Sequence, residues 1–337
     1  MRRRRRRLQY RVTTGRFTLS VVIGLCAISW LLIYFLTPRL QAPAGSAPAS
    51  FLWEGLSGYL PAWANTLASF LVYGAIGYFL VGLNNRFGII RTRATMQTGV
   101  YFLLVAVCPA MHQLYDGAAV AMAFLVAIYF LFGSYQRSRP MVSLFYAFFA
   151  IGVGSLFFPP FTLLFVLWIL EAYRFQSLTW RSFFAAVVGW ALPYWFLLAH
   201  AVYHGRMELF YQPFRQIVEL GKPFDLSLLT SWQWAILGYL FVFSVISTAH
   251  SVASGLDDNI RTRAYLRSLI DQTFFLFFVI LLQPMYCDNL LPQLMVCGSV
   301  LIAHFFMLTG SRTSNVLFIL SLLGLAVLLA FNTWTLL

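Results

Sequence analysis

Apolar runs of roughly membrane-spanning length follow one another along the chain, separated by short breaks rich in arginine, proline and glycine. A helix rising 1.5 Å per residue needs about 20 apolar residues to cross a hydrocarbon layer about 30 Å thick. Cutting the chain wherever charge or a Gly/Pro cluster interrupts the pattern gives eleven candidate spans. They are Phe17–Thr37, Trp63–Leu83, Met96–Met111, Ala118–Ser134, Met141–Phe158, Phe161–Tyr173, Ser182–Tyr203, Ser231–His250, Leu269–Gln283, Leu290–Leu308 and Ser314–Trp334. The pattern therefore predicts an all-α fold, a polytopic transmembrane helix bundle of about 11 spans. Its weakest stretch is the turn Phe157-Phe158-Pro159-Pro160-Phe161, where two prolines break the helix and the run onward to Glu171 is short for a crossing. Two short crossings and one re-entrant hairpin both return the chain to the same side.

Charge orients the bundle. Eight arginines, Arg2 to Arg7 with Arg11 and Arg16, stand directly before the first span, and moving them through lipid would cost kilocalories per charge. With this end in the cytoplasm, alternate threading puts all but Arg39, Arg206, Arg215 and Lys222 of the 23 basic residues in inner connections, as the positive-inside rule requires. The odd number of spans then places the C-terminus outside. The apolar core of the first segment exceeds the usual 7 to 15 or so residues of a signal peptide and is read as a retained anchor. The domain organisation is a basic cytoplasmic tail (1–16) and one transmembrane domain (17–337), with outer connections 38–62 and 204–230 lying in the interface.

Composition agrees: 61% of residues are hydrophobic and only 10% charged, against about 25% charged in soluble domains. The net charge of +13 resides in the loops and points to membrane orientation, not to nucleic acid. The four cysteines, Cys26, Cys108, Cys287 and Cys297, form no CxxC or Cys/His cluster, so no metal centre is expected. Cys108 and Cys287 fall near one face, where buried thiols and a disulfide are both open. The abundant aromatics suit membrane-interface belts or the lining of a groove for a long lipid chain.

Only ten acids are present. Glu54, Asp116, Glu208, Glu219, Asp225 and Asp288 fall toward the outer face, and Glu171, Asp257, Asp258 and Asp271 toward the inner. Glu54, His112 and Asp116 are the candidate catalytic residues. His112 and Asp116 are four apart, so one helical turn would present both on one face, as general base with its orienting partner or as a holder of a divalent cation on a phosphate. The alternative is a solvated turn acid and an interfacial histidine. The inner group Asp257-Asp258 with Arg261, Arg263 and Arg267 suits a Mg²⁺-phosphate site or a self-neutralised solvated helix. Asp271 is expected to pair with Arg267, and Glu171 with Arg174. His200 and His204 have two-ligand spacing without a third ligand, and are read as interfacial; His250 and His304 suggest no special role. Polar residues in mid-span are few.

The stretches Leu83-Asn84-Asn85-Arg86-Phe87-Gly88-Ile89-Ile90-Arg91, Phe132-Gly133-Ser134-Tyr135-Gln136 and Gly154-Ser155-Leu156-Phe157-Phe158-Pro159-Pro160 resemble an uncharacterised multi-pass inner-membrane family of Bacteroidota. The layout also resembles, more distantly, the C superfamily of glycosyltransferases, which use polyprenyl-phosphate sugars at the outer face. That resemblance implies acids at Glu54 in the first outer loop and Asp116 before the fourth span, though the family usually shows an Asp where this chain has Glu54. The expected function is the handling of a lipid-linked, polyprenyl-phosphate type envelope intermediate in the bacterial inner membrane, with or without catalysis. The expected partners are membrane lipids, a polyprenyl-phosphate lipid and other membrane proteins, with no nucleic acid. A transporter or channel, and a scaffold of an envelope complex, are the other two classes.

Overall fold

The computed structural model describes residues 8–15, 17–36, 60–90, 95–218, 223–253 and 258–335. These residues form helices joined by turns, with no strand among them. In chain order the helices are α1 (Leu8–Thr13), α2 (Thr18–Leu36), α3 (Ala62–Phe87), α4 (Met96–Ala106), α5 (Asp116–Gly133), α6 (Met141–Phe157), α7 (Leu164–Arg174), α8 (Trp180–Tyr203), α9 (Glu208–Val218), α10 (Ser231–Ala253), α11 (Ile260–Leu282), α12 (Cys287–Leu308) and α13 (Arg312–Trp334). Short 3₁₀ turns at Pro109–His112, Pro159–Leu163 and Pro284–Tyr286 each begin on a proline, whose missing N–H costs nothing in a first turn.

Each apolar stretch read from the sequence has its helix. Eight of these, α2, α3, α5, α8 and α10 to α13, are long and apolar enough to cross a membrane. The chain is an all-helical bundle with these eight candidate membrane helices. Three apolar helices are shorter: α4 and α7 with 11 residues and α6 with 17. At Pro159-Pro160 the chain turns through a 3₁₀ segment, and Phe158 packs edge-on against Tyr286, their rings 5.2 Å apart. Within 204–230 the structure has the helix α9, whose Phe214 packs on Tyr194 of α8. The aromatic segment expected at 51–60, with Glu54, lies almost wholly outside the described residues.

The contacts sort the connections onto two ends of the bundle. At the first, basic end, the Gln9 side chain of α1 donates to the carbonyls of Phe306 (2.7 Å) and Thr309 (3.1 Å), the Gln136 N–H to Phe175 O (3.0 Å), and the Tyr265 hydroxyl to Phe132 O (3.1 Å). At the opposite end, Asn332 donates to Val107 O (2.7 Å), Ser69 to Met111 O (2.6 Å) and the Phe224 N–H to Leu282 O (3.0 Å). The start of α1 and the end of α13 therefore sit at opposite ends.

Helix α12 is the axis of the bundle. Every residue from Cys287 to Phe306 is buried, and α4, α5, α10 and α11 all pack against it. By contrast α2 and α13 expose most of their apolar surface, as helices facing lipid do. A second tight contact joins α6 and α8, where the side-chain-free Gly152 and Gly189 allow close backbone approach. A methyl group at Gly152 would collide with Trp190 O, and one at Gly189 with Phe145 O.

The structure corrects the inner-face reading. Ile260 to Leu282 is one helix, so Arg261, Arg263 and Arg267 belong to α11 and not to a loop. Asp271 pairs with Arg174 of α7, not with Arg267, while Glu171 pairs with Arg174 as expected, at 2.9 Å. Asp258 is buried and lies 3.3 Å from the buried His304, so neither of these two is a solvated bystander. Asp257 lies outside the described residues. All four cysteines are free and buried, Cys108 and Cys287 included.

Candidate functional site

The polar site at the end away from α1 begins with a proline. Pro292 in α12 has no N–H, so the carbonyl of Asp288, four residues earlier, loses its helical partner. The Tyr115 hydroxyl supplies one, donating to Asp288 O at 3.0 Å. Tyr115 is held in place by folding across Gly117, where a methyl group would strike its ring. It is the extended residue before α5, which makes Asp116 the first residue of that helix. A carboxylate there meets the unpaired N–H groups of a first turn, and Asp116 Oδ1 accepts from the Gly117 N–H at 2.9 Å.

Helix α12 contributes the rest of the wall. Asp288 Oδ1 accepts from Gln233 Nε2 at 2.5 Å, and Gln233 Oε1 in turn accepts the Thr230 N–H at 2.8 Å, so the start of α10 fixes this acid. Asn289 lies beside the Asp116 carboxylate, and the Asp116 and Asp288 carboxylates are within electrostatic reach of each other. Both acids are buried. Neither pairs with a basic side chain among the described residues. Such a pair has two chemical outlets, taking up a proton or holding a cation. Among the described residues no group of three or more His, Cys, Asp or Glu side chains gathers as a metal centre.

His112 and Asp116 do not share a helical turn. His112 ends the 3₁₀ segment Pro109–His112, and the extended Gln113 and Tyr115 separate it from α5. Its ring packs against Trp30 of α2, centroids 3.9 Å apart, and faces the backbone of Ala106. Burial pushes its pKa down from 6.5 to about 3, which keeps it neutral. Glu54 lies outside the described residues. His200 and His204 are exposed with their rings 4.4 Å apart.

Trp30 also lines an apolar groove of about 320 Å³ between α2 and α3, together with Ala27, Leu31, Tyr34, Trp63, Thr66, Leu67 and Phe70. Leu31, Tyr34, Trp63 and Leu67 are exposed, so the groove opens sideways on the flank of the bundle.

The sequence reading missed Asp288, Asn289, Gln233 and Gln293 as members of a site. One signal was available: Asp288 precedes Pro292 by four, and Asn289 precedes Gln293 by four, which puts two amides on one face of a helix. In the structure both amides are buried; Asn289 faces the Asp116 carboxylate and Gln293 makes no hydrogen bond, a condition worth about 1–3 kcal/mol of destabilisation per orphaned group and seldom kept without use. No family model, no curated protein and no solved structure matches the chain.

Proposed function

We propose that this protein is a bacterial inner-membrane protein that takes up an amphiphile from the membrane, with its apolar chain in the α2/α3 groove and its polar head at the Asp116 end. The amphiphile class is the polyprenyl-phosphate type of envelope intermediate. The threading has eleven spans, the N-terminus in the cytoplasm and the C-terminus outside, with the site on the outer side. Support for the threading comes from the sorting of connections, since those read as inner meet at one end and those read as outer meet at the other.

One observation carries the functional reading: Trp30 both lines the groove and packs against the ring of His112. A chain lying in the groove is thereby brought up against the polar end of the bundle. A groove open to lipid and lined by aliphatic and aromatic side chains favours a long hydrocarbon over a water-soluble ligand. The resemblance to C-superfamily glycosyltransferases and to the Bacteroidota membrane family enters here as a proposal, as does any divalent cation at Asp116. Glu54, which that resemblance pairs with Asp116, lies outside the described residues.

The test is photo-cross-linking of the full-length protein in nanodiscs with a photoactivatable polyprenyl phosphate. Label is expected on α2 and α3, and Leu67→Trp, which fills the groove, is expected to remove it. Equal labelling by an ordinary phospholipid probe, or labelling unaffected by Leu67→Trp, would overturn the reading.

A further inference from the structure

Buried polar groups continue from the outer acids along the axis of the bundle. Asn289, Gln293 and Cys297 stand on successive turns of α12, about 6 Å apart. Asn289 is beside Asp116, and Cys297 Sγ points at Gln272 Oε1 of α11 at 3.9 Å. Gln272 Nε2 donates to Ser268 Oγ one turn further along α11, at 3.1 Å. Ser268 lies beside the Glu171 carboxylate, which accepts from Arg174 at 2.9 Å. Arg174 also reaches Asp271 and is 45% exposed, so the series ends at the surface of the basic end. Asn289, Gln293, Gln272, Ser268 and Glu171 are each at most 1% exposed.

Polar groups at such depth are satisfied by protein or by water; neither amide atom of Gln293 meets a protein partner, and the Asn289 amide reaches only the Asp116 carboxylate. Each has donors and acceptors free to hold water in a file. The series has a titratable carboxylate at each end, Asp116 with Asp288 at one and Glu171 at the other, and neutral hydrogen-bonding groups between. This is the composition of a proton relay.

We propose that the α11/α12 interface is a proton-conducting track that joins Asp116 and Asp288 to Glu171 through water held by Asn289 and Gln293. A proton bound to the outer carboxylates passes to that water and hops along it past Cys297, Gln272 and Ser268. It binds a Glu171 oxygen and leaves past Arg174 and Asp271. Each carboxylate ends with the charge it began with, and the membrane potential sets the direction. The groups facing the outer acids are Tyr73, Tyr115, Gln233, Asn289 and the thiols of Cys108 and Cys287; those facing Glu171 are Arg174, Ser268 and Asp271. The groove at α2/α3 plays no part, so this inference and the lipid reading stand or fall separately.

The experiment uses full-length protein in liposomes with a trapped pH-sensitive dye and a K⁺ diffusion potential set by valinomycin. The wild-type protein is expected to move protons faster than protein-free liposomes, equally with Na⁺ or choline in the buffer. Glu171→Gln and Gln293→Leu are each expected to reduce the flux to the protein-free rate, while Leu320→Ala on the exposed face of α13 leaves it unchanged. Gel filtration and melting confirm folding, and Gln293→Met replaces Gln293→Leu if the latter does not accumulate. Wild-type flux at the protein-free rate overturns the proposal. So does a requirement for Na⁺, or flux that survives in folded Glu171→Gln and Gln293 variants.

Discussion

Glu171 at the basic end and Asp116 at the other are both carboxylates closed off inside the bundle, but they keep different company. Glu171 shares Arg174 with Asp271, and nearby Asp258 lies against His304. Asp116 has a backbone N–H, an asparagine and a second acid, Asp288, which itself is held by a glutamine. At the first end one arginine is shared by two carboxylates, so the group is held by an opposite charge and still keeps one negative charge with which to bind a proton in passage. The second is arranged so that its charge has no fixed counterpart, which suits a group that binds a proton or a cation in its working cycle. Burial alone does not distinguish the two; the sign of the neighbours does.

The largest effect should come from removing the cation at the paired end. Arg174→Leu leaves Glu171 and Asp271 together without a partner, and is expected to cost about 2–3 kcal/mol, below the 3–5 of a fully buried pair because the arginine is half exposed. Thermal melting in detergent checks it against Asp116→Asn and Asp288→Asn, both expected to stay within about 1 kcal/mol of wild type because neither breaks an ion pair. A large loss in the two asparagine variants and none in Arg174→Leu would reverse the comparison.

A smaller effect distinguishes the ends by pH. His112 binds its proton only near pH 3 when folded and near 6.5 when unfolded, so below 6.5 the unfolded chain takes up more protons. Its stabilising contribution is complete above pH 6.5 and is lost as pH falls toward 3, with a slope of at most about 1.4 kcal/mol per pH unit. His112→Phe, which keeps the stacking on Trp30, is expected to flatten that part of the melting profile; an unchanged slope would mean that the ring is not closed off from solvent.

The smallest effect concerns Asp258. Asp258→Asn, beside buried His304, should lower stability by about 1 kcal/mol, whereas Arg263→Ala on the exposed side of α11 should stay within about 0.5 kcal/mol. Equal melting temperatures for both would return Asp258 to the solvated role that its Asp-Asp-Asn context suggests.

Hydropathy along the chain was enough for the helical class and for one helix per apolar run, because an uninterrupted apolar run has one low-cost place in a membrane and its backbone one low-cost conformation there. The sequence also singled out Asp116, since an acid at the head of an apolar run is rare enough to notice. It determined local pairs such as Glu171 with Arg174, three residues apart on one helix. That α12 is the axis came from packing alone, because hydropathy can be the same for a helix that faces lipid and one that faces other helices: α12 and α3 have equal mean hydropathy and differ in how much of them the bundle covers. The tertiary structure decided that Asp271 finds Arg174 and not Arg267, a contact across 97 residues. It broke the helical turn expected at His112, where Pro109 starts a 3₁₀ segment and the chain then extends. It brought Asp288 to Asp116 and set Asn289 and Gln293 in the interior, since which side of a helix is inside depends on its neighbours and not on its own residues.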